Sequence, residues 1–251
     1  MITRKSRDEI KLMKIAGDIV AQVHLAMKDA VKPGVSTKEL DDIAFDIIKK
    51  NKAIPTFKGY KGFPATICAS INDEVVHGIP SENRILEEGD IVAVDVGATF
   101  RGLVGDGAWT YPVGKISEDK KRLLEGTEKA LMAAIEKMQV GNTLNDVGGA
   151  IEDVAKEYNL GIVRQYGGHG VGRNMHEEPF VFNFRAGDTT VLKAGMTIAI
   201  EPMLNLGGDD VYEHNDGWTV STVDKKDSAH FEHTVLVSED GPVILTQLAQ
   251  K

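Results

Sequence analysis

Ile91-Val-Ala-Val-Asp95-Val-Gly-Ala-Thr-Phe100-Arg101-Gly-Leu-Val-Gly-Asp106-Gly-Ala-Trp-Thr-Tyr111 is the stretch on which the organisation of the chain turns. An apolar, β-branched run from Ile91 to Val96 carries an acid, Asp95, where the pattern asks for a hydrophobe. A second strand-like run carries Asp106. A hairpin turning at Phe100-Arg101, with Gly102 easing the turn, makes the two acids direct cross-strand partners, Cβ atoms about 4.5 to 5.5 Å apart. Like charges directly opposite destabilise a sheet, and burial adds to the cost. Such a pair persists when a cation sits between the acids or when they share a proton. One acid turned to solvent, or a bulge in the register, accounts for the pattern as well, and the hairpin alone leaves both readings open.

Composition narrows the setting. The 251 residues suit one large domain or two fused smaller ones. Hydrophobic residues at 42% and charged residues at 27% are those of a soluble globular protein. A net charge of −9, with no long basic run, argues against nucleic acid as a specific partner and suits a site that holds cations. The single cysteine, Cys68, rules out an intramolecular disulfide and points to a reducing compartment. The first twenty residues lack an apolar core of signal-peptide length, and no apolar run is long enough to span a membrane, so the expected location is the cytoplasm.

The order of elements repeats. A capping box at Ser6 and Glu9 opens a helix that runs to about Val31, where Lys32-Pro33-Gly34 ends it. A second helix runs from Ser36 or Thr37 to about Lys50, burying Leu40, Ile43, Ala44, Ile47 and Ile48. Residues 53–64 read as a loop, and residues 65–70 as a strand. Helices return at 118–139 and 143–158, and strands and loops follow from Gly161. Gly34, Leu40 and Ile47 match Gly141, Val147 and Val154 at an offset of 107. Leu86, Gly89, Val92, Ala93, Val94 and Asp95 match Leu192, Gly195, Ile198, Ala199, Ile200 and Glu201 at an offset of 106. His77-Gly-Ile-Pro80 resembles His176-Glu-Glu-Pro179 at a shorter one. The two matches at nearly one offset predict a duplication, with halves of about 1–115 and 116–251 inside a single catalytic domain, 1–251.

Copies of one unit pack about a pseudo-two-fold axis, where equivalent positions approach each other. Asp95 and Glu201 are equivalent, both acids in apolar strands, so the repeat brings a third carboxylate toward the first pair. The implied fold is α+β, an inner antiparallel sheet covered outside by two helix pairs. Glu232, in Ala229-His-Phe-Glu-His-Thr-Val-Leu-Val237, adds a fourth acid out of pattern. His169 lies in a glycine-rich stretch that admits close approach of a ligand. Four converging carboxylates repel unless some protonate, and two divalent cations balance them in charge. Oxygen-rich ligation with one imidazole suits Mn²⁺, Fe²⁺, Co²⁺ or Zn²⁺. Two such ions about 3.5 to 4 Å apart, bridged by carboxylates and a water, make a hydrolytic site in which that water is the nucleophile.

Asp95, Asp106, His169, Glu201 and Glu232 together resemble the Asp-Asp-His-Glu-Glu ligand set of the type I methionine aminopeptidases. Asn72-Asp-Glu-Val-Val-His-Gly-Ile-Pro80, Gly167-Gly-His-Gly-Val-Gly-Arg173, Ile200-Glu-Pro-Met203, Asp216-Gly-Trp-Thr-Val220 and Phe231-Glu-His-Thr-Val235 extend the resemblance over nearly the whole chain. It implies the pita-bread (creatinase/aminopeptidase-like) fold and removal of the initiator methionine when the next residue is small. By resemblance Asp95 chelates one ion, His169 and Glu201 the other, and Asp106 and Glu232 bridge both. His77 contacts substrate near its amine, His176 stabilises the oxyanion, and Glu201 also shuttles a proton. The pocket for the methionine side chain has walls of Tyr60, Cys68 and Trp218, with Phe57, Phe63 and Met175 nearby.

Four positions depart from the family pattern. Met175 stands where an aromatic is common, Phe57 where many bacterial relatives carry cysteine, His230 for a usual glutamine, and Gly97 where a small hydroxyl residue is frequent. None removes a ligand. An Xaa-Pro peptidase on the same fold carries an additional N-terminal domain, for which this chain has no room before its first helix pair. A non-catalytic RNA- or ribosome-binding member loses ligands that are kept here. The expected partner is therefore the N-terminal methionine of nascent chains, with transient ribosome contact, and a monomer is the default state.

Overall fold

The computed structural model describes residues 2–247. Its helices begin where the sequence supplies caps. The Ser6 hydroxyl accepts from Glu9 N and the Glu9 carboxylate accepts from Ser6 N, starting α1 (Arg7–Ala30). Ser36 with Glu39 starts α2 (Thr37–Lys50), Ser117 caps α3 (Glu118–Glu136), and Thr143 with Asp146 starts α4 (Leu144–Glu157). The third helix stops three residues short of 139. Lys137 N and Met138 N bond back three residues, to Ala134 O and Ile135 O, which tightens the last turn and ends the α pattern. Residues 53–64 are mostly loop but include the short strand Ile54–Pro55 and a single 3₁₀ turn at Tyr60–Gly62.

All strand pairings among the described residues are antiparallel, and they divide into four sheets. In the first half, Ile91–Phe100 lies between Ile67–Ile71 and Leu103–Pro112. In the second, Thr197–Ile200 lies between Gly168–Gly170 and His233–Ser238. α1 and α2 pack their apolar faces on the first group through Val20, Val23, Leu40, Ala44 and Ile48. α3 and α4 cover the second through Leu123, Leu131, Val147 and Ile151.

The duplication is visible bond by bond. Gly34 N donates to Leu86 O at 2.8 Å, and Gly141 N to Leu192 O at 3.1 Å. Gly89 N donates to Val113 O and Gly195 N to Val237 O, both at 2.9 Å. Ser36 bridges Ile85 as Thr143 bridges Val191. Equivalent sequence therefore makes equivalent backbone contacts on both sides of the molecule.

The hairpin turns one residue later than its sequence suggests. Phe100 pairs with Leu103, so the two turn residues are Arg101 (φ 48°) and Gly102 (φ 80°). Positive φ at both positions is the type I′ geometry, whose twist matches that of the flanking strands. The register then pairs Asp95 with Ala108 and Asp106 with Gly97. Asp95 and Asp106 share a face but are diagonal neighbours rather than direct partners, which leaves a wider gap between the carboxylates.

A second seam joins the halves. Glu232 N donates to Ala108 O at 2.8 Å, and Ala108 N to Glu232 O at 3.3 Å. Thr234 Oγ1 donates to Asp106 O and accepts from Asp106 N, while Thr110 Oγ1 donates to His230 O and accepts from His230 N. Two threonine hydroxyls thus bond backbone to backbone where the strands of the two halves meet.

α1 lies close against this layer because small residues allow it. A Cβ on Gly105 would sit 2.6 Å from Gly17 N, and one on Gly17 would overlap the Leu245 carbonyl. Replacing a helix glycine by alanine ordinarily stabilises by about 1 kcal/mol. Here the overlap with backbone outweighs that gain, since overpacking costs about 1–3 kcal/mol. Gly17→Ala is expected to lower the thermal midpoint by roughly 2–8 °C, read by calorimetry; an unchanged or raised midpoint contradicts the packing account.

Candidate metal centre and active site

The hairpin and the seam carry the acids into one cavity of about 310 Å³. Asp95 and Asp106 come from the hairpin and Glu232 from the segment paired to it. Glu201 directly follows Thr197–Ile200, and His169 comes from the neighbouring strand, opposite Ala199. Donor atoms of Asp106, His169 and Glu232 lie within 4.8 Å of one another. Glu201 Oε1 is 3.3 Å from His169 Nε2, and Asp106 Oδ2 is 3.6 Å from it. Nδ1 of His169 bonds to Gly170 O at 2.9 Å, so that nitrogen carries the proton and Nε2 is left as a lone-pair donor.

The cluster is electrostatically frustrated without cations. Burial pushes the Asp95 carboxyl up to about 7. Burial, then repulsion from neighbouring acids, holds Asp106, Glu201 and Glu232 well above the usual carboxylate range. Burial also holds the His169 imidazole down at about 4. Asp95 Oδ1, Asp106 Oδ1 and Glu232 Oε1 are buried and make no hydrogen bond. Buried oxygens are ordinarily satisfied, and oxygens left open on three converging acids are the donor set a divalent ion takes. The residues fit a metal centre.

Two histidines stand over the acids. The His176 ring lies 4.3 Å from that of His169, and its Nδ1 bonds Tyr60 Oη at 2.9 Å. Burial lowers its pKa, and Lys61 adds to the shift. His77 is held at about 4, by burial first and then by His176. Its ring meets the edges of Tyr166 and Trp218. Phe63 packs edge-on against Trp218 at 5.0 Å. All thirteen residues singled out from the sequence line this one cavity: the five acid and imidazole donors, His77, His176, and the pocket residues Phe57, Tyr60, Phe63, Cys68, Met175 and Trp218.

Sequence reasoning passed over Tyr166 and Phe180, which also line the cavity. Tyr166 stands three residues before His169, and that proximity was the signal available for it. Phe180 is an exposed residue on a strand edge and gave none. Two of the departures prove to be one feature. A Cβ on Gly97 would lie 2.5 Å from the Phe57 ring, so the ring fills the space a side chain at 97 would take.

Residues 11–239 match the family described as metallopeptidase family M24. "Methionine aminopeptidase 1" of Bacillus subtilis is 48% identical over 249 residues, covering 99% of this chain and 100% of that protein. The methionine aminopeptidase of Thermotoga maritima superposes with a TM-score of 0.97 at 42% identity, over 99% of this chain and 100% of that one. Prolidase from Pyrococcus furiosus shares the fold at a TM-score of 0.78 and 25% identity, with 98% of this chain matched to 66% of that longer one.

Because the imidazoles are neutral well below neutral pH, loading ions at pH 6 must expel protons from carboxyls, Asp95 among them. Deprotonation favours binding, so apparent affinity is expected to rise about tenfold per pH unit for each proton released between about pH 6 and 8. Calorimetry in buffers of different ionisation heat measures that release, and an affinity flat across the range contradicts it. A side chain at 97 is expected to displace the Phe57 ring: Gly97→Thr should weaken binding of a methionine-like inhibitor, and restoring space with Gly97→Thr/Phe57→Cys should recover it.

Proposed function

The chain belongs to metallopeptidase family M24, and on that footing we propose that it is a methionyl aminopeptidase. It removes the N-terminal methionine of new proteins when the second residue is small. The observation that carries the reading is the convergence of four carboxylates, those of Asp106 and Glu232 buried and those of Asp95 and Glu201 partly so, with His169 at the floor of an apolar pocket, where buried oxygens are unsatisfied.

Two divalent cations (Co, Mn, Fe or Zn), when bound, neutralise the carboxylates and supply Lewis-acid activation of a water and of the scissile carbonyl. Asp95, Asp106, His169, Glu201 and Glu232 would hold them through their carboxylate oxygens and the free imidazole nitrogen. Around them the chain's own groups bind and orient substrate. The methionine side chain lies against Phe57, Phe63, Cys68, Met175, Tyr60 and Trp218, where dispersion and sulfur–aromatic contacts hold it. Tyr60 fixes the His176 ring through Nδ1, which leaves Nε2 to meet the carbonyl oxygen as charge develops there. His77 contacts the substrate near its amine. Glu201 takes a proton from the attacking water and delivers it to the leaving amine. The two histidines crowd the ground above the acids, which favours a short second residue.

Residues 1–251 are proposed to act as one catalytic domain of two pseudo-equivalent halves. No helix among the described residues is long and apolar enough to cross a membrane. A cytoplasmic, monomeric enzyme that meets nascent chains through transient ribosome contact is the setting proposed.

Hydrolysis of Met-Gly-Met-type against Xaa-Pro peptides, with and without divalent metal, tests the reading; turnover of Xaa-Pro substrates alone refutes it. Asp106→Ala should abolish turnover and disrupt the two-ion site, and an active variant contradicts the assignment. His176→Ala should lower kcat by about 10²–10³-fold, the usual loss for an oxyanion donor, with metal affinity little changed. Equal losses in both would make His176 structural.

A further inference from the structure

We propose that His230 is a positioning residue of the metal centre, its Nε2–H engaging one oxygen each of Glu201 and Glu232 and so fixing how those two carboxylates turn toward the cations. The inference rests on the proposed function, because it concerns two of the ligands named there.

His230 ends the strand Ser228–His230 and is 2% exposed. Its backbone is pinned on both sides by Thr110 Oγ1, at 3.0 and 2.8 Å. The ring therefore stays in this place, yet its Nε2 is buried and has no hydrogen-bond partner. The atoms nearest to supply one are carboxylate oxygens: Glu201 Oε2 at 3.6 Å and Glu232 Oε2 at 3.8 Å. Glu201 lies between two imidazoles, with Oε1 facing His169 Nε2 at 3.3 Å and Oε2 facing His230. One oxygen of that carboxylate belongs to the cluster and the other to His230.

The remaining gap exceeds a hydrogen bond by about 0.7 Å, within reach of a small carboxylate rotation. A buried donor between two acceptors has no better outlet. His230 faces the Glu201 oxygen turned away from His169, so the two imidazoles address opposite oxygens of that carboxylate. Outer partners of this kind orient ligands, and their removal typically weakens metal binding about 10–100-fold.

The test uses the full-length protein stripped of metal and titrated with Co²⁺ by calorimetry and visible absorption. His230→Ala is expected to weaken the less tightly held ion about 10–100-fold while the Co²⁺ bands keep their energies. His230→Gln, which restores an N–H, should return affinity to within about threefold of the parent. His230→Leu fills the ring's space without a donor and should repeat the alanine loss, which separates the role from simple packing. Unchanged affinity in the alanine and leucine variants would overturn the inference. So would a failure of glutamine to rescue, or a band shift showing that a nitrogen ligand was lost. Parent protein that takes up no divalent ion would overturn the proposed function as well; parent protein that binds two ions alongside unaffected variants would overturn this inference alone.

Discussion

Four carboxylates, two buried and two partly buried, converge with no cation from the chain to answer them, and the rest of the structure is arranged around that fact. No Lys or Arg forms an ion pair with Asp95, Asp106, Glu201 or Glu232 among the described residues. Burying such a group would ordinarily drive the acids apart or force protons onto them. Here the backbone does not let them part. The hairpin fixes Asp95 to Asp106, and the threonine-stitched seam fixes Asp106 to Glu232. The strand after which Glu201 emerges is anchored on His233–Ser238 in turn. The frame keeps charges close that would not remain so by themselves, and metal binding collects the energy of that constraint.

Much of this was legible in the residues. The repeat needed only glycines, leucines and two acids at matching offsets, because each reflects a backbone requirement met twice. The helix starts were legible because caps are local chemistry. The hairpin was read one residue out. Arginine is a poor advertisement for a left-handed conformation, and the type I′ turn is decided by the twist of both strands together. That shift turned direct partners into diagonal ones. The seam was not legible at all, since nothing in Thr110 or Thr234 distinguishes a hydroxyl that bonds across the molecule from one that faces water. Tyr166, on an irregular segment, lacks the periodicity that flags a core position, and Phe180 falls on the exposed positions of its strand, Glu177–Val181.

The two parts of the cavity therefore have different origins. Its floor comes from the repeated strands, where position is set by ladder geometry. Its walls come from the unrepeated stretches around Phe57, Met175 and Trp218. The fold is shared with a prolidase, so the fold by itself does not fix the shape of those walls.

Phe57 and Gly97 show this for one wall. The ring occupies the volume that a side chain at 97 would claim, so residue 97 cannot grow unless residue 57 moves or shrinks. Bulk at 97 and a ring at 57 compete for one volume, so the shape of this wall is set by the two positions jointly rather than by either alone.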